Sequence, residues 1–270
     1  MTNFVYDSQY LSDYGFVVCK FDTSTTISVD SIGAKVKFEK VSKNSGKRFG
    51  LASAGYEECI TAEFDICKNP DIYDGIDMAI TTEELKSLVR WLNRRDFLLF
   101  QPIDDCDGET EQRYYNASFD ISKIESGGIL YGLRLKMETD SPFGYGRECR
   151  ETLDYSEGHS VKTIRDLSDE VGFLYPIITI TCKEDGTISL YNEMEKCRTV
   201  IKNCVAGEVI TMDGENQIVQ TSRAEHDVMN DFNYEFFKIG NTVSDRINRI
   251  EASAPCSVEV RYCPIIKDIP

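Results

Sequence analysis

The apolar residues of this chain recur with a period of two, and this pattern constrains the fold more than any other feature. From Ile60 to Ile66, apolar and polar side chains alternate strictly. Successive side chains of a β-strand point to opposite faces, so the alternation predicts a strand with one buried face. The same pattern, in residues that favour strands, recurs at Val36–Phe38 with Val41, Tyr131–Met137, Ile188–Leu190 and Val258–Tyr262. A mainly β fold with antiparallel sheets is therefore predicted.

Two segments that contain an Asp-Gly step predict β-hairpins. Glu184–Thr187 follows a strand-like run that ends at Cys182, and Met212–Asn216 precedes another that begins at Ile218. Asp and Gly tolerate the backbone conformations that tight turns require. Each segment is expected to join two strands that pair with one another.

One segment, Ile80–Asp96, predicts an α-helix near residues 81–95. Thr81 and Glu84 have the spacing of a capping box at a helix N-terminus. The expected core-facing stripe, at helical spacing and with Trp91 at its edge, consists of Leu85, Leu88, Val89 and Leu92.

The length of 270 residues favours two domains. The Pro- and Gly-containing segment Thr139–Gly146 follows a predicted strand and is a natural place for the boundary. Domains are predicted at 1–140, with the helix, and at 141–270, with the last strand expected to return toward the first domain.

The formal net charge of −16 argues against a nucleic-acid-binding protein, because an acidic surface repels phosphate backbones. No apolar run reaches the roughly 20 residues that span a bilayer, and the first residues lack the pattern of a signal peptide. Synthesis in a cytosol, without membrane insertion, is expected.

A basic cluster runs against this global sign. It is interrupted by Glu39 and consists of Lys35, Lys37, Lys40, Lys43, Lys47 and Arg48. On an acidic body such a cluster suits contact with another copy of the chain, with Lys43, Lys47 and Arg48 as the candidate subunit-contact patch. The alternative is a solvated loop. Gly46-Lys47 does not match a phosphate-binding loop, since Arg48 stands where Ser or Thr is required.

Other candidate chemistry is weak. The acidic segment Ile103–Glu111 does not match the register of a calcium-binding EF-hand loop and is expected to be a solvated loop. The two histidines, His159 and His226, are flanked by polar residues, and a histidine-rich metal site or catalytic triad is not predicted. No catalytic, metal-binding or cofactor-binding residues are assigned.

Ten cysteines are present, and none are paired at the Cys-x-x-Cys spacing of zinc ribbons. Because the chain carries no recognisable export signal, a disulfide framework is not expected. The cysteines are predicted to be buried, reduced thiols.

Several segments, in order along the chain, resemble the distal tail proteins of tailed bacteriophages that infect Gram-positive bacteria. Ser12–Val18 resembles the opening of that family, and Ile80–Leu92 is similar to its helix with a Trp-Leu step near the end. The segments similar to its second domain are Tyr175–Ile180 with Gly186–Ile188, Gly207–Asp213 and Phe236–Thr242.

The resemblance implies a structural protein rather than an enzyme. It implies an N-terminal β-sandwich-like, ring-forming domain with one α-helix, and a C-terminal galectin-like or carbohydrate-module-like jelly-roll sandwich. It further implies a hexameric ring at the tail tip that acts as the baseplate hub. The implied partners are the tail tube protein, a tail-associated fibre or lysin protein and peripheral receptor-binding proteins.

Two other functions fit the residues less well. A soluble carbohydrate-binding β-sandwich is the main alternative, although the one Trp lies on the predicted helix rather than on a sheet face. A carboxylate-dependent hydrolase is the other, without a recognisable spacing of acidic residues to support it.

Overall fold

The computed structural model describes residues 1–21, 36–43, 46, 48–56, 59–103 and 113–267. Two compact units are present: Met1–Gly146 together with the residues from Ile266 on, and Arg147–Ile265. The predicted acidic loop lies outside the described residues except for its first residue, and so do Lys35 and Lys47.

The first unit is built on a seven-stranded antiparallel sheet with one helix, α1 (Thr82–Leu92). The strands of this unit are β1 (Asn3–Tyr6), β2 (Gln9–Tyr10), β3 (Phe16–Cys19), β4 (Val36–Ser42), β5 (Phe49–Tyr56), β6 (Thr61–Lys68), β7 (Leu98–Ile103), β8 (Tyr115–Ser126), β9 (Ile129–Thr139) and β10 (Gly144–Tyr145). The large sheet has the order β2-β1-β7-β8-β9-β6-β3, while β4 and β5 form a separate two-stranded sheet.

The alternating runs of the first unit place their apolar side chains in one core. Ile66 on β6 and Leu133, Leu135 and Met137 on β9 are fully buried, as the period of two predicts. Aromatic side chains fill the centre, where the ring of Phe4 packs 5.4 to 6.2 Å from the rings of its neighbours. These contacts fix α1 against the sheet.

The helix is confirmed, but one side of its buried face was misassigned. Thr81 and Glu84 form the capping box: the Thr81 hydroxyl accepts from the Glu84 amide at 3.3 Å, and the Glu84 carboxylate accepts from the Thr81 amide at 2.7 Å. Leu88 is buried, whereas Val89 is exposed and Trp91 belongs to the core. The prediction for Val89 was wrong: Trp91, expected at the edge of the stripe, lies in the core, where its indole Nε1 donates to the Tyr6 carbonyl at 3.0 Å.

The second unit is a sandwich of two antiparallel sheets around one core. Its elements are β11 (Cys149–Tyr155), β12 (Ser160–Arg165), β13 (Gly172–Leu174), β14 (Ile177–Cys182), β15 (Gly186–Asn192), β16 (Arg198–Cys204), β17 (Val209–Asp213), β18 (Ile218–Thr221), α2 (Val228–Asp231), β19 (Ile239–Asn241), β20 (Ile247–Ala252) and β21 (Cys256–Tyr262), and β22 (Ile265–Ile266) follows. One sheet has the order β11-β21-β14-β17-β18 and the other β12-β20-β15-β16, and β13 pairs with β19. The predicted fold class, mainly β in two domains with one helix in the first, is confirmed.

One predicted hairpin of this unit is confirmed and the other is wrong. Met212–Asn216 joins β17 to β18, which pair antiparallel. Glu184–Thr187 does not join a hairpin, because β14 pairs with β17 and β21 while β15 pairs with β16 and β20. The Asp-Gly step makes a turn there, as expected. The strands that it joins belong to opposite sheets, so the chain crosses from one sheet of the sandwich to the other at this turn.

Candidate functional site

The basic cluster of the sequence lies on the hairpin of β4 and β5. The strands pair from Val36 opposite Tyr56 to Ser42 opposite Phe49, with one irregularity after Glu39. The turn is closed by the Lys43 amide, which donates to the Arg48 carbonyl at 2.9 Å, and by Gly46, whose positive φ suits a tight turn.

The hairpin exposes an apolar face. By strand register, one face carries Val36, Phe38, Phe49, Leu51, Ala54 and Tyr56, with Lys40 among them. Val36, Phe38, Leu51 and Phe49 are 48%, 55%, 65% and 66% exposed, whereas Tyr56 is half-buried. We name these residues, apart from Lys40, the apolar hairpin face.

The predicted burial of Val36, Phe38 and Val41 is therefore wrong. All three are exposed because, within the described part of the chain, β4 and β5 pair only with each other. No second layer of described residues covers them. Exposed apolar patches of this kind occur at protein–protein contacts, at membrane-binding surfaces and in ligand-binding grooves.

The opposite face is more polar. Register places Lys37, Glu39, Val41 and Ser53 there; Val41 is exposed, and Glu39 accepts a hydrogen bond from the Ser53 hydroxyl at 2.8 Å. Lys43 and Arg48 flank the turn and are exposed, and neither forms an ion pair with another described residue. Lys47, the third residue of the predicted patch, falls outside the described residues.

The base of the hairpin is held by an aromatic contact. The ring of Tyr56 meets that of Phe143 edge-on, with centroids 4.6 Å apart. Edge-to-face pairs of this kind add roughly 0.5–1.5 kcal/mol beyond the area that they bury. The hairpin is thus anchored at one end, while Lys43, Gly46 and Arg48 at its other end are exposed.

Sequence reasoning missed Phe49 and Leu51 as members of this surface. They could have been found because two segments of alternating apolar residues flank a short, basic turn that contains Gly46, which is the pattern of a β-hairpin. From the pattern of the first strand only Val36 and Phe38 of this face were recognised, and Val41, which was predicted with them, lies on the opposite face.

A cavity of about 280 Å³ lies beside α1 in the first unit. It is lined by Asp7, Gln9, Tyr14, Ser87, Arg90, Trp91 and Arg94. Arg94 pairs with Asp7 at 3.4 Å, and the Tyr14 and Trp91 rings stack at 4.5 Å. Two of its three charged side chains, Asp7 and Arg94, are paired with each other, and we assign the cavity to local packing.

Buried titratable residues meet in the second unit, where His226 lies between two carboxylates. Its Nδ1 is 2.5 Å from Glu208 Oε1, and its Nε2 is 3.2 Å from Asp231 Oδ2. Burial lowers the pKa of His226, but the hydrogen bond to Glu208 and its charge outweigh this, so the pKa is raised above its usual value.

Glu208 is the centre of this cluster. Burial raises its pKa, but hydrogen bonds from the Thr221 hydroxyl, His226 and the Val205 amide reverse the effect and lower the pKa. The side chains of His226 and Glu208 are 4% and 0% exposed. Because neither side chain is open to solvent, we assign the cluster a structural role.

Among the residues that the structure describes, no group of three or more His, Cys, Asp and Glu side chains is arranged to hold a metal ion. In the same residues, no helix combines the length and apolar composition of a membrane span.

Two family models match the chain. One, described as a phage tail protein N-terminal domain, covers residues 1–141, and the other, described as a phage tail C-terminal domain, covers residues 143–262. A search of curated proteins found no match.

Among solved structures, the chain is similar to the SPP1 Dit (gp 19.1) protein, described as a paradigm of the hub adsorption apparatus in Gram-positive infecting phages. The TM-score is 0.68 at 13% sequence identity, over 97% of this chain and 99% of that one. At this identity the likeness establishes a shared fold.

Proposed function

We propose that this chain, which belongs to the phage tail protein family, is a structural hub at the distal end of the tail, in the baseplate of the virion. The fold shared with SPP1 Dit over nearly the whole length of both chains supports this role. We place its synthesis in the cytoplasm of the bacterial host.

We further propose that six copies form a closed ring that continues the tail tube. In this account residues 1–140 build the ring and residues 141–270 project outward as a galectin-like sandwich. In a ring each subunit donates one surface and accepts its neighbour with a different one. The chain therefore needs a surface that is exposed in a single copy and becomes buried against the neighbouring copy.

The observation that carries the proposal is the β4–β5 hairpin. Its apolar face leaves several large side chains in contact with water, which disfavours the isolated subunit. Lys43 and Arg48, which flank its turn, are exposed basic residues on a chain of net charge −16. Burial of the apolar hairpin face on a neighbouring copy, with the basic turn on an acidic surface, satisfies both features.

The remaining partners follow from the ring. The tail tube protein would stack on one side and a tail-associated fibre or lysin protein on the other, with receptor-binding proteins at the periphery. Each contact would hold a neighbouring protein in place and would involve no reaction. The role therefore needs no catalytic residues, cofactor, nucleic acid or membrane.

The rival function, a soluble carbohydrate-binding module, receives less support. Sugar platforms are aromatic rings that lie open to solvent, whereas the one Trp of the chain, Trp91, is 4% exposed. Its face is stacked on Tyr14, so it is not available to a sugar.

Charge reversal at the hairpin turn tests the proposal. Lys43→Glu with Arg48→Glu should lower the mass of the assembly in light scattering while the circular dichroism spectrum stays unchanged. The matched control is Lys162→Glu with Lys202→Glu, which changes the net charge equally at exposed positions of the second unit. Assemblies of unchanged mass in the hairpin variant, or equal losses in both variants, would count against the hairpin as the contact.

A further inference from the structure

Two buried thiols from opposite sheets meet at one end of the second unit. Cys182 is the last residue of β14, in the five-stranded sheet, and Cys204 is the last residue of β16, in the four-stranded sheet. Each is 1% exposed, and both belong to the core of the sandwich.

The backbone holds this end of the sandwich together. The Gly207 amide donates to the Cys182 carbonyl at 2.8 Å, and the Cys182 amide donates to the Glu208 carbonyl at 2.9 Å. Ala206 N–H donates to the Asp185 carboxylate at 2.8 Å. These hydrogen bonds hold together the two turns that carry the chain between the sheets, and the side chains of Cys182 and Cys204 both lie in the core beside these turns.

We propose that Cys182 and Cys204 form an inter-sheet disulfide when the protein leaves the reducing cytosol. Such a bond would join the two layers of the sandwich at the end where the chain crosses twice. Immunoglobulin domains use an inter-sheet disulfide in the same way. Closing the segment between the two cysteines restricts the unfolded chain and stabilises the folded unit.

The oxidant in this step is a small-molecule disulfide. The Cys204 thiolate attacks one of its sulfurs, forming a mixed disulfide and releasing one thiol; the Cys182 sulfur then displaces the second thiol as its own proton is lost. Two protein thiols are oxidised by two electrons, and one small disulfide is reduced to two thiols. The hydrogen bond from Cys182 lowers the pKa of the Cys204 thiol, which favours Cys204 as the attacking group.

Two other thiol pairs provide the contrast. Cys256 lies directly opposite Cys182, but within the same sheet. Cys19 and Cys67 lie on the neighbouring strands β3 and β6, two residues out of register. A bond in either place would link strands that are already paired in one sheet, whereas Cys182–Cys204 links two sheets.

The setting rests on the proposed function, because a virion protein meets an oxidising environment once the host lyses. The chemistry itself does not depend on ring formation. If the chain forms the disulfide but no ring, the disulfide proposal is supported and the proposed hub function is contradicted.

The test uses the full chain, purified in reductant, then held with oxidised glutathione for hours because the buried thiols react only on local opening. Remaining thiols are alkylated in denaturant, and the digest is analysed by mass spectrometry. We expect a linked Cys182–Cys204 peptide, a loss of about 2 Da for the bond, and a rise in thermal midpoint of the order of 10 °C. Cys182→Ser and Cys204→Ser should each abolish the link, while Cys256→Ser should retain it.

Three outcomes would overturn the inference. They are no linked peptide after prolonged oxidation, a Cys182–Cys256 link in place of the expected one, or a Cys182 peptide that is still linked to another cysteine in the Cys204→Ser variant. The decisive measurement is made on the unsubstituted protein, so it does not depend on the folding of any variant. Circular dichroism of Cys182→Ser establishes whether the loss of its link reflects the thiol alone.

Discussion

At the scale of single residues, the second unit depends on a buried ion pair. His226 and Glu208 face each other with almost no exposure to solvent, and Asp231 approaches the other imidazole nitrogen. Removing one partner of such a pair leaves an uncompensated buried charge, which costs more than the pair itself contributes.

His226→Gln should destabilise the second unit by about 3–5 kcal/mol, since the Glu208 carboxylate keeps its burial but loses its cation. The matched control is His159→Gln, because His159 also pairs with a carboxylate, Glu251, at 2.8 Å but is itself exposed. Urea unfolding followed by circular dichroism measures both. A loss in the His226 variant no larger than that in the control would contradict the buried pair.

The same pair predicts how stability depends on pH. The pKa of His226 is raised, so its contribution is complete below its usual value of 6.5 and is lost as the pH rises through the folded-state pKa. The pKa of Glu208 is lowered, so its contribution is present above its usual value of 4.5 and is lost as the pH falls through the folded-state pKa. The stability gap between the unsubstituted chain and His226→Gln should be widest near about pH 5.5 and narrow toward about pH 9. A gap that widens with rising pH would show that the imidazole is not the cation of the pair.

The sequence did not predict this cluster. His226 was set aside because its sequence neighbours are polar, yet its partner Glu208 lies 18 residues away and reaches it through the fold. The cysteines illustrate the same point: Cys182 and Cys204 are buried as expected, while Cys59 and Cys263 are exposed, against the prediction. Cys106 lies outside the described residues.

At the scale of secondary-structure elements, helix ends and turns were predictable from the sequence, whereas the pairing of strands and the packing of their faces were not. The capping box of α1 involves residues three apart, so the sequence contains the whole motif. The turn after β14 was also visible, but whether two strands joined by a turn pair or cross to another sheet depends on distant strands. The β4–β5 alternation likewise predicts an apolar face without determining what covers it.

The corrected orientation of α1 makes a direct prediction. Leu88→Ala should cost about 2–5 kcal/mol of unfolding free energy, because the side chain is fully buried. Val89→Ala, next to it on the exposed side, should change the stability by no more than about 0.5 kcal/mol. Thermal unfolding of the two variants measures the contrast. Equal losses would restore the orientation expected from the sequence.

The apolar hairpin face makes a second prediction at this scale. Phe49→Ser with Leu51→Ser should weaken self-association without lowering the thermal midpoint, because both side chains are exposed in the single copy. The control is Val161→Ser with Ile218→Ser, exposed apolar residues of the second unit. Sedimentation velocity compares the two. A marked drop in the midpoint of the hairpin variant would show that the face packs within its own subunit.

At the scale of the whole molecule, each unit has its own core. The buried apolar residues fall into two clusters, one in each unit. Residues 147–265 should therefore fold as an isolated fragment with cooperative unfolding. Heteronuclear NMR of the fragment would show dispersed amide signals, and a collapsed spectrum would contradict independent folding.

The mainly β, two-domain organisation was predictable because alternation and turn residues run through the entire chain. Ring formation is a property of many copies and is not encoded in any local motif. The support for the proposed ring comes from the hairpin, whose apolar face the described residues of a single subunit leave uncovered.

Native mass spectrometry of the purified full chain, with negative-stain imaging of the same sample, determines whether the chain forms the proposed ring. We expect assemblies of six copies with a central opening, and their loss in the Lys43→Glu, Arg48→Glu variant. A single copy at every concentration measured, or an assembly that both hairpin variants leave intact, would contradict the account.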